Sequence, residues 1–357
     1  VDVATMSMGS EHQFQIILDS GLTDGLGTLV ALCLSLALVL VMMSPLIRKM
    51  RAGGMVGNDV NKLSTAQVAE LGGIAALFAF SVSLTLVVGI QKLIGNVAEP
   101  PFLAVISVFF MAAMIGLIDD ISNLRQRLKA IVVSFAALPL MLVHIGPAVV
   151  DLPLGYELDF SRGMYLLYWL ILVPIGVTGV ANAMNMSAGY NGLESGQIAV
   201  ASFTLLAIVY LRQGPDFAQL IFASLLGCAL GLYYFNRYPA RVFIGDIGTL
   251  GLGAALAAGA ILAHIEFYGL IAIAPAFYEA VATAVYGLRG RNGERKQACR
   301  NPRIAADGTL APPIGAERYT LAYRILSLRP MTERKLVRAL LGLYALSGAV
   351  AVALSVV

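Results

Sequence analysis

The sequence predicts an all-α polytopic integral membrane protein of about ten transmembrane helices, on three observations. Of the 357 residues, 59% are hydrophobic and only 13% charged, whereas soluble domains carry about 25% charged residues. Ten apolar runs recur along the chain, most of them near the roughly 20 residues that cross a bilayer. Lysine and arginine are also partitioned, with 20 of the 24 falling in the connections that follow odd-numbered runs. By the positive-inside rule those connections are cytosolic and both termini external.

Taken in order, residues 1–24 are polar and hold no Lys or Arg, so no basic signal-peptide start is present. Residues 1–25 read as an external tail. The apolar runs lie at approximately 26–47, 71–94, 102–118, 128–145, 163–184, 196–211, 217–235, 247–265, 267–287 and 336–356. The third, sixth and eighth are short or Gly-rich and give the weakest signal. Residues 26–357 are expected to form one ten-helix membrane domain with a single long cytosolic loop, 288–335. The cysteines (Cys33, Cys228, Cys299) are odd in number and form no CxxC pair, so neither a disulfide framework nor a thiolate metal motif is indicated.

This topology sorts the polar residues. Asp59, Asn61, Lys62, Glu70, Asp119, Asp120, Lys129, Asn185, Asn191, Glu194, Asp246, Arg300 and Arg303 all fall on or near the predicted cytosolic face. His12, His144 and His264 fall at the other, so chemistry built on a His base or a His metal site is not expected. The third run ends in Asp119-Asp120, followed by Arg125, Arg127 and Lys129. Adjacent carboxylates at the mouth of an apolar helix repel each other unless a cation or fixed positive charge stands beside them. The same pair also reads as a solvated helix stop.

Four loops carry the remaining signal. In GNDVNKLSTAQVAELGG (57–73), Ser64-x-x-Gln67 reads as a capping box opening the second helix, with Glu70 in its first turns. NAMNMSAGYNGLESGQ (182–197) places Asn182 and Asn185 on one helical face and adds Gly189, Gly192 and Gly196, which permit tight turns. It holds no Lys or Arg, and its amides suit a nucleobase, sugar hydroxyls or a metal's water shell; a plain interhelical turn is the competing reading. In RYPARVFIGDIGTLGLG (237–253), Asp246 stands at a helix start, either as an N-cap or as a third carboxylate beside Asp119 and Asp120 that favours a divalent metal. Residues 288–335 offer a basic run, a hairpin signal at Asp307-Gly308 after Arg300-x-x-Arg303, and an amphipathic interfacial helix at 317–328. Glu279 is an intramembrane carboxyl group with no nameable partner.

Together GNDVNK with Glu70, IGLIDDISNLRQRLK, NAMNMSAGYNGLESGQ, VFIGDIGTLGLG and RNPRI, spanning 57–303, resemble the polyprenyl-phosphate N-acetylhexosamine-1-phosphate transferase family in order and spacing. The likeness is greatest to its dolichyl-phosphate N-acetylglucosamine-phosphotransferase branch in archaea and eukaryotes. The resemblance implies a glycosyl-1-phosphate transferase. A polyprenyl phosphate attacks the β-phosphorus of UDP-N-acetylglucosamine and releases UMP, as the first membrane step of lipid-linked oligosaccharide assembly in N-glycosylation. It further implies Mg²⁺ (or Mn²⁺ in its place), with Asn185 and Asp246 as ligands. Asp119, Asp120 and Lys129 are implied as catalytic residues. Lys62, Glu70, Asn182, Gly189, Asn191, Glu194, Arg300 and Arg303 are implied to contact the UDP-sugar and its pyrophosphate. A UDP-sugar, a polyprenyl or dolichyl phosphate of the bilayer, and a homodimer are the partners that follow; nucleic acid is not among them.

The chain departs from the family in having no histidine in the 288–335 loop, where Cys299 precedes Arg300. That loop is also short beside eukaryotic relatives, which favours a prokaryotic, archaeal-type plasma-membrane enzyme over one of the endoplasmic reticulum. Two other readings compete. The phospho-muramyl-pentapeptide transferases of the same family have an acidic loop where this chain has Tyr190-Asn191-Gly192. A secondary transporter would place its polar site near the bilayer midplane rather than at one face.

Overall fold

Each of the ten apolar runs is helical over most of its described length in the computed structural model, which describes residues 22–64, 66–94, 100–122, 124–143, 148–289, 301–315 and 320–357. In chain order the helices and strands are α1 Leu22–Ala52, β1 Val56–Asn58, β2 Gln67–Ala69, α2 Gly73–Ile94, α3 Pro100–Ser122, α4 Gln126–Ser134 and α5 Leu138–Val143. There follow β3 Val149–Asp151, β4 Glu157–Asp159, α6 Tyr165–Leu167, α7 Val173–Met186, α8 Leu193–Leu211, α9 Asp216–Asn236 and α10 Gly245–Leu262. The chain ends with α11 Glu266–Ala272, α12 Ala274–Arg289, β5 Arg303–Ile304, β6 Thr309–Ala311, α13 Leu321–Leu328, β7 Met331–Thr332 and α14 Glu333–Ser355. A π-helical turn, Tyr168–Leu172, joins α6 to α7, so Tyr165–Met186 crosses as one unit.

Among the described residues, eight helices are long and apolar enough to span a membrane. The other two runs are interrupted. A 3₁₀ turn, Phe135–Ala137, separates α4 from α5 just before Pro139. Ile273 separates α11 from α12 just before Ala274-Pro275. In both places proline withholds the N–H that would continue the ladder. Proline alone does not decide the matter, because α1 runs through Pro45. The described residues include neither the N-terminal tail nor His144.

The eighth run, weak by composition, is the centre of the bundle. Every residue of α10 from Ile247 to Leu262 is buried, and α10 packs on α3, α7, α2, α9 and α8. Glycine and alanine depress its hydropathy, but they let neighbouring backbones approach, which is how helices associate in lipid. The closest approach is to α3, where a Cβ on Gly116 would collide with the backbone of Asp246 and lie 2.5 Å from the Ile247 nitrogen.

Short hairpins replace simple loops at the helix ends. β1 pairs antiparallel with β2 (Val56 with Ala69, Gly57 with Val68). The capping box expected at Ser64-x-x-Gln67 is therefore not formed: Gln67 belongs to a strand, and the second helix begins six residues later. Its first amides are satisfied from another loop instead, since Gly72 and Gly73 donate to the carbonyls of Phe243 and Ile244 (2.9 Å each). The hairpin signal at Asp307-Gly308 is met by β5 and β6, with Gly308 at φ +77° and Thr309 N–H donating to Asp307 Oδ1 (2.9 Å). The amphipathic segment is α13 over 321–328, and Glu279 finds its partner there, Oε1 accepting from Leu321 N–H (2.7 Å) at the helix start.

Valine at position 116 would overpack the α3–α10 contact. We expect Gly116→Val to lower the thermal unfolding midpoint in detergent by the equivalent of about 1–3 kcal/mol. Gly89→Ala, at a helical position with no atom within 4 Å of the added Cβ, should not lower that midpoint.

Candidate functional site

The residues singled out by sequence meet where α3, α7 and α10 end or begin beside α4. Lys129, in the first turn of α4, is the hub; its residue is 2% exposed. Its ammonium forms ion pairs with Asp119 Oδ2 (2.8 Å) and with Asp246 Oδ2, and donates to Asn185 Oδ1 (3.1 Å). Each partner is held from behind. Asp119 Oδ1 accepts from Leu124 N–H (2.6 Å), so the carboxylate also closes the turn leaving α3. Asn185 Nδ2 donates to Asp246 Oδ1 (2.7 Å) and Thr249 Oγ1 (2.8 Å), which directs its carbonyl oxygen at Lys129.

Asp120 does something different from Asp119. Its two oxygens accept from the N–H groups of Asp246 (2.9 Å) and Ile247 (3.1 Å). The carboxylate thus caps α10 from a neighbouring helix, at the end where unpaired amides and the helix dipole favour a negative charge. The sequence reading of Asp246 as N-cap is corrected: Ile244 occupies that position, and Asp246 turns its side chain to Lys129. Gly245 allows the arrangement, because its φ is +71° and a Cβ there would stand 2.7 Å from Asp120 Oδ2. Repulsion within the Asp119-Asp120 pair is relieved by sending one carboxylate to an ammonium and the other to a helix terminus.

A second cluster joins the β1–β2 hairpin to the glycine-punctuated loop between α7 and α8. Asn61 Nδ2 donates to Gly189 O (2.7 Å), and Asn191 Nδ2 donates to Asp59 Oδ2 (2.9 Å). Asp59 also pairs with Lys62, and Asn191 N–H donates to Glu333 Oε1 (2.8 Å) at the start of α14. Gly189 and Gly192, at φ +116° and +90°, let the loop fold back onto these partners. Glu194 stands between the clusters: Oε1 accepts from Gly189 N–H (3.4 Å), while Oε2 is buried with no hydrogen-bond partner among the described residues. Glu70, between β2 and α2, interacts electrostatically with Asp120, and burial pushes its carboxyl above the usual carboxylate range.

The structure therefore brings together Asp119, Asp120, Lys129, Asn185 and Asp246 in one group, and Lys62, Gly189 and Asn191 in an adjacent one, with Glu70 and Glu194 beside them. Asn182 does not join: its Nδ2 donates to Thr178 O (2.8 Å) on its own helix. Arg303 sits on β5 with Nε donating to Pro312 O (2.9 Å), and its residue is exposed. Arg300 and Cys299 lie outside the described residues. Sequence reasoning assigned no site role to Asp59, Asn61, Thr249 or Glu333. Thr249 was detectable in principle, being three residues beyond Asp246 on the same helical face. Glu333 was not, because its partner Asn191 is 142 residues away.

The donor set suits a hard divalent cation. Asn185 Oδ1 and Asp246 Oδ2 converge on one positive centre, here the Lys129 ammonium. No group of three His, Cys, Asp or Glu gathers as an all-protein cage among the described residues. Two oxygen ligands, with the remaining positions left to water and phosphate, is the pattern Mg²⁺ prefers.

Comparison with known proteins places the chain in a family. The family described as glycosyl transferase family 4 matches residues 102–264, which include Asp119, Asp120, Lys129, Asn185 and Asp246. A Saccharolobus solfataricus protein provisionally named UDP-N-acetylglucosamine–dolichyl-phosphate N-acetylglucosaminephosphotransferase is 32% identical over 59% of this chain and 64% of its own length. A Sulfolobus acidocaldarius protein of the same provisional name is 30% identical over 65% of this chain and 70% of its own. The phospho-N-acetylmuramoyl-pentapeptide-transferase of Streptococcus mutans is 27% identical over 68% and 75%.

Because burial raises the Glu70 pKa, ionisation weakens the folded state as pH rises past its ordinary value of 4.5. Glu70→Gln should therefore unfold at a higher temperature than the unmodified protein at pH 7, and the two midpoints should converge below pH 4.5. Thermal unfolding in detergent at both pH values measures this. Asp120→Ala, which removes the cap on α10, should cost about 0.5–2 kcal/mol in the same assay.

Proposed function

The chain belongs to the polyprenyl-phosphate N-acetylhexosamine-1-phosphate transferases, and from that premise we propose that it transfers N-acetylglucosamine-1-phosphate from UDP-N-acetylglucosamine to a polyprenyl phosphate of the dolichyl type. The observation that carries the reading is the Lys129-centred ring at the end of the bundle where Lys and Arg concentrate. A lipid phosphate lying in the headgroup plane and a soluble sugar nucleotide reach that end from different sides. The archaeal relatives' names support the sugar and the lipid.

In the proposed step, a phosphate oxygen of the acceptor lipid attacks the β-phosphorus of the nucleotide sugar. A new P–O–P bridge forms as the bond from that phosphorus to its bridging oxygen breaks, and UMP leaves with the electron pair. A phosphate monoester has a second pKa of about 6, so the nucleophile is already ionised at neutral pH and needs no strong base. The barrier is one of charge and alignment, since a dianion must approach a diphosphate. Lys129 places a buried ammonium at the meeting point, where it neutralises developing charge more effectively than in water. Asp119 keeps that ammonium in place, Asp120 fixes the α10 terminus that carries Asp246, and Thr249 orients Asn185. Asn185 and Asp246, whose oxygens face Lys129 here, would give up that contact to hold Mg²⁺, which when bound supplies further neutralisation of the phosphate oxygens. The uncharged Gly189–Asn191 loop, tied to Asp59 and Asn61, offers amide groups to the nucleotide. Arg300 and Arg303 are proposed for the pyrophosphate and Glu70 for the sugar.

The test is UMP release by the purified protein from UDP-N-acetylglucosamine with polyprenyl phosphate, with and without Mg²⁺. Release should need the lipid, fall to background when Mg²⁺ is chelated, vanish in Asp246→Ala, and drop at least about a hundredfold in Lys129→Gln. UDP-N-acetylmuramyl-pentapeptide as sole productive donor would reassign the substrate within the family. Folded protein that releases UMP from neither donor would overturn the transferase reading.

A further inference from the structure

Away from the Lys129 ring, an open cavity of about 660 Å³ lies beside Asn191, between the end of α9 and the start of α14. Four arginines line it: Arg237 and Arg241 from the segment after α9, Arg334 and Arg338 from the first turns of α14. Among the described residues no acidic side chain does. Among the described residues none of the four guanidinium groups forms an ion pair. Three of them are carried on aromatic faces instead, Arg237 and Arg241 over Tyr234 (5.3 and 4.8 Å to the centroid) and Arg334 over Tyr238 (5.2 Å). Only two of their N–H groups have a described protein acceptor: Arg241 Nη2 donates to Tyr234 O (3.0 Å) and Arg338 Nε to Arg334 O (3.4 Å). Four like charges around one cavity repel, and most of their donors point to no protein oxygen. The arrangement calls for an anion.

The depth of the cavity says which anion. Two apolar spans bound it, one ending at Asn236 and the other beginning at Glu333, so it lies at the level of the headgroups, at the Lys/Arg-rich end. Tyrosines at that level are the usual interfacial residues of a membrane protein. Below the arginines on α9, Leu230 and Tyr234 lie one turn apart and are 40% and 47% exposed, giving an apolar track beside the cation cluster. Charge above and hydrocarbon below is the profile of a phospholipid, and basic pockets between spans at this leaflet bind anionic head groups. A soluble anion would use only the upper half.

We propose that this cavity binds the phosphate head group of an anionic bilayer phospholipid, separately from the acceptor lipid at Lys129. The cavity also touches the nucleotide loop. Asn191 lines it while bonding to Asp59 and Glu333, and Arg334 follows Glu333 directly. The bound lipid thus steadies the start of α14 on which the Asn191 contact depends. The binding claim does not rest on the transferase reading.

The full chain, purified in detergent and stripped of lipid, would be titrated with phosphatidylglycerol, phosphatidylcholine, inorganic phosphate and polyprenyl phosphate while its thermal unfolding midpoint is followed. Phosphatidylglycerol should raise the midpoint at low salt and lose most of that effect at high salt; phosphatidylcholine and inorganic phosphate should not raise it. Arg334→Gln/Arg338→Gln should need about thirtyfold more phosphatidylglycerol for the same shift. Arg334→Lys/Arg338→Lys, which keeps the charge, should need only severalfold more. Equal shifts in the unmodified protein and the glutamine variant, an equal shift with inorganic phosphate, or a shift with polyprenyl phosphate alone would each overturn the proposal. So would the absence of any phosphatidylglycerol shift in the unmodified protein, a comparison that stands even if the variants do not fold.

Discussion

The site depends on one buried ammonium. Lys129 has left water at a cost of several kcal/mol, and the cost is offset because oxygens from α3, α7 and α10 arrive together around it. Three helix ends must therefore be brought to one point, and the rest of the architecture can be understood as the means of doing so. Small residues along α10 let α3 and α7 approach, Gly116 removes the side chain that would keep α3 away, and the turn after α3 is closed by Asp119 itself. Removing any one of these oxygen partners takes away part of what offsets the desolvation of the Lys129 ammonium. The ring is in that sense a lock on the bundle as well as a reaction site.

Around this centre the neighbouring layer presents amides and a hydroxyl backed by carboxylates. Asn61, Asn191 and Thr249 join the β1–β2 hairpin, the α7–α8 loop and α10, Asn61 bonding to Gly189, Asn191 to the Asp59 carboxylate and Thr249 to Asn185. Neutral groups keep their hydrogen-bonding character whatever the charge of the ligand beside them. A loop without Lys or Arg at the most cationic end of the protein is then understandable, since a nucleotide's base and sugar need donors and acceptors rather than another charge. Cations are placed where phosphate is expected, at Lys129 and, on the far side of Asn191, in the arginine-lined cavity.

The helices were legible because apolar runs of bilayer length have few other meanings, and the residues that gather at Lys129 because carboxylates and amides at helix ends are costly without a reason. The misreadings have physical causes. Ser64-x-x-Gln67 has the spacing of a capping box, but the amides of α2 are satisfied by Phe243 and Ile244, some 170 residues away in sequence, and nothing local announces that. The eighth run looked weak because hydropathy counts transfer to lipid and ignores helix-on-helix packing, which is what glycine and alanine serve in α10. Asn182 and Asn185 share a helical face by spacing, yet one turns back to its own backbone and the other meets Asp246. Spacing gives the face of a residue, and only the partner gives its direction. The separate duties of Asp119 and Asp120 were likewise beyond reach, because they are set by where α10 begins.

The cap that Asp120 places on α10 has a mechanical consequence. Its two hydrogen bonds, together with the contact at Gly116, join the end of one span to the start of the next span it touches, with no loop between them to stretch. When a bilayer thins or thickens, spans respond by tilting; α3 and α10 must tilt as one rigid pair. Asp119 and Asp246 ride on that pair, so the gap that Lys129 fills is insulated from membrane thickness, as a jaw set in a single casting is insulated from flexure of its mount.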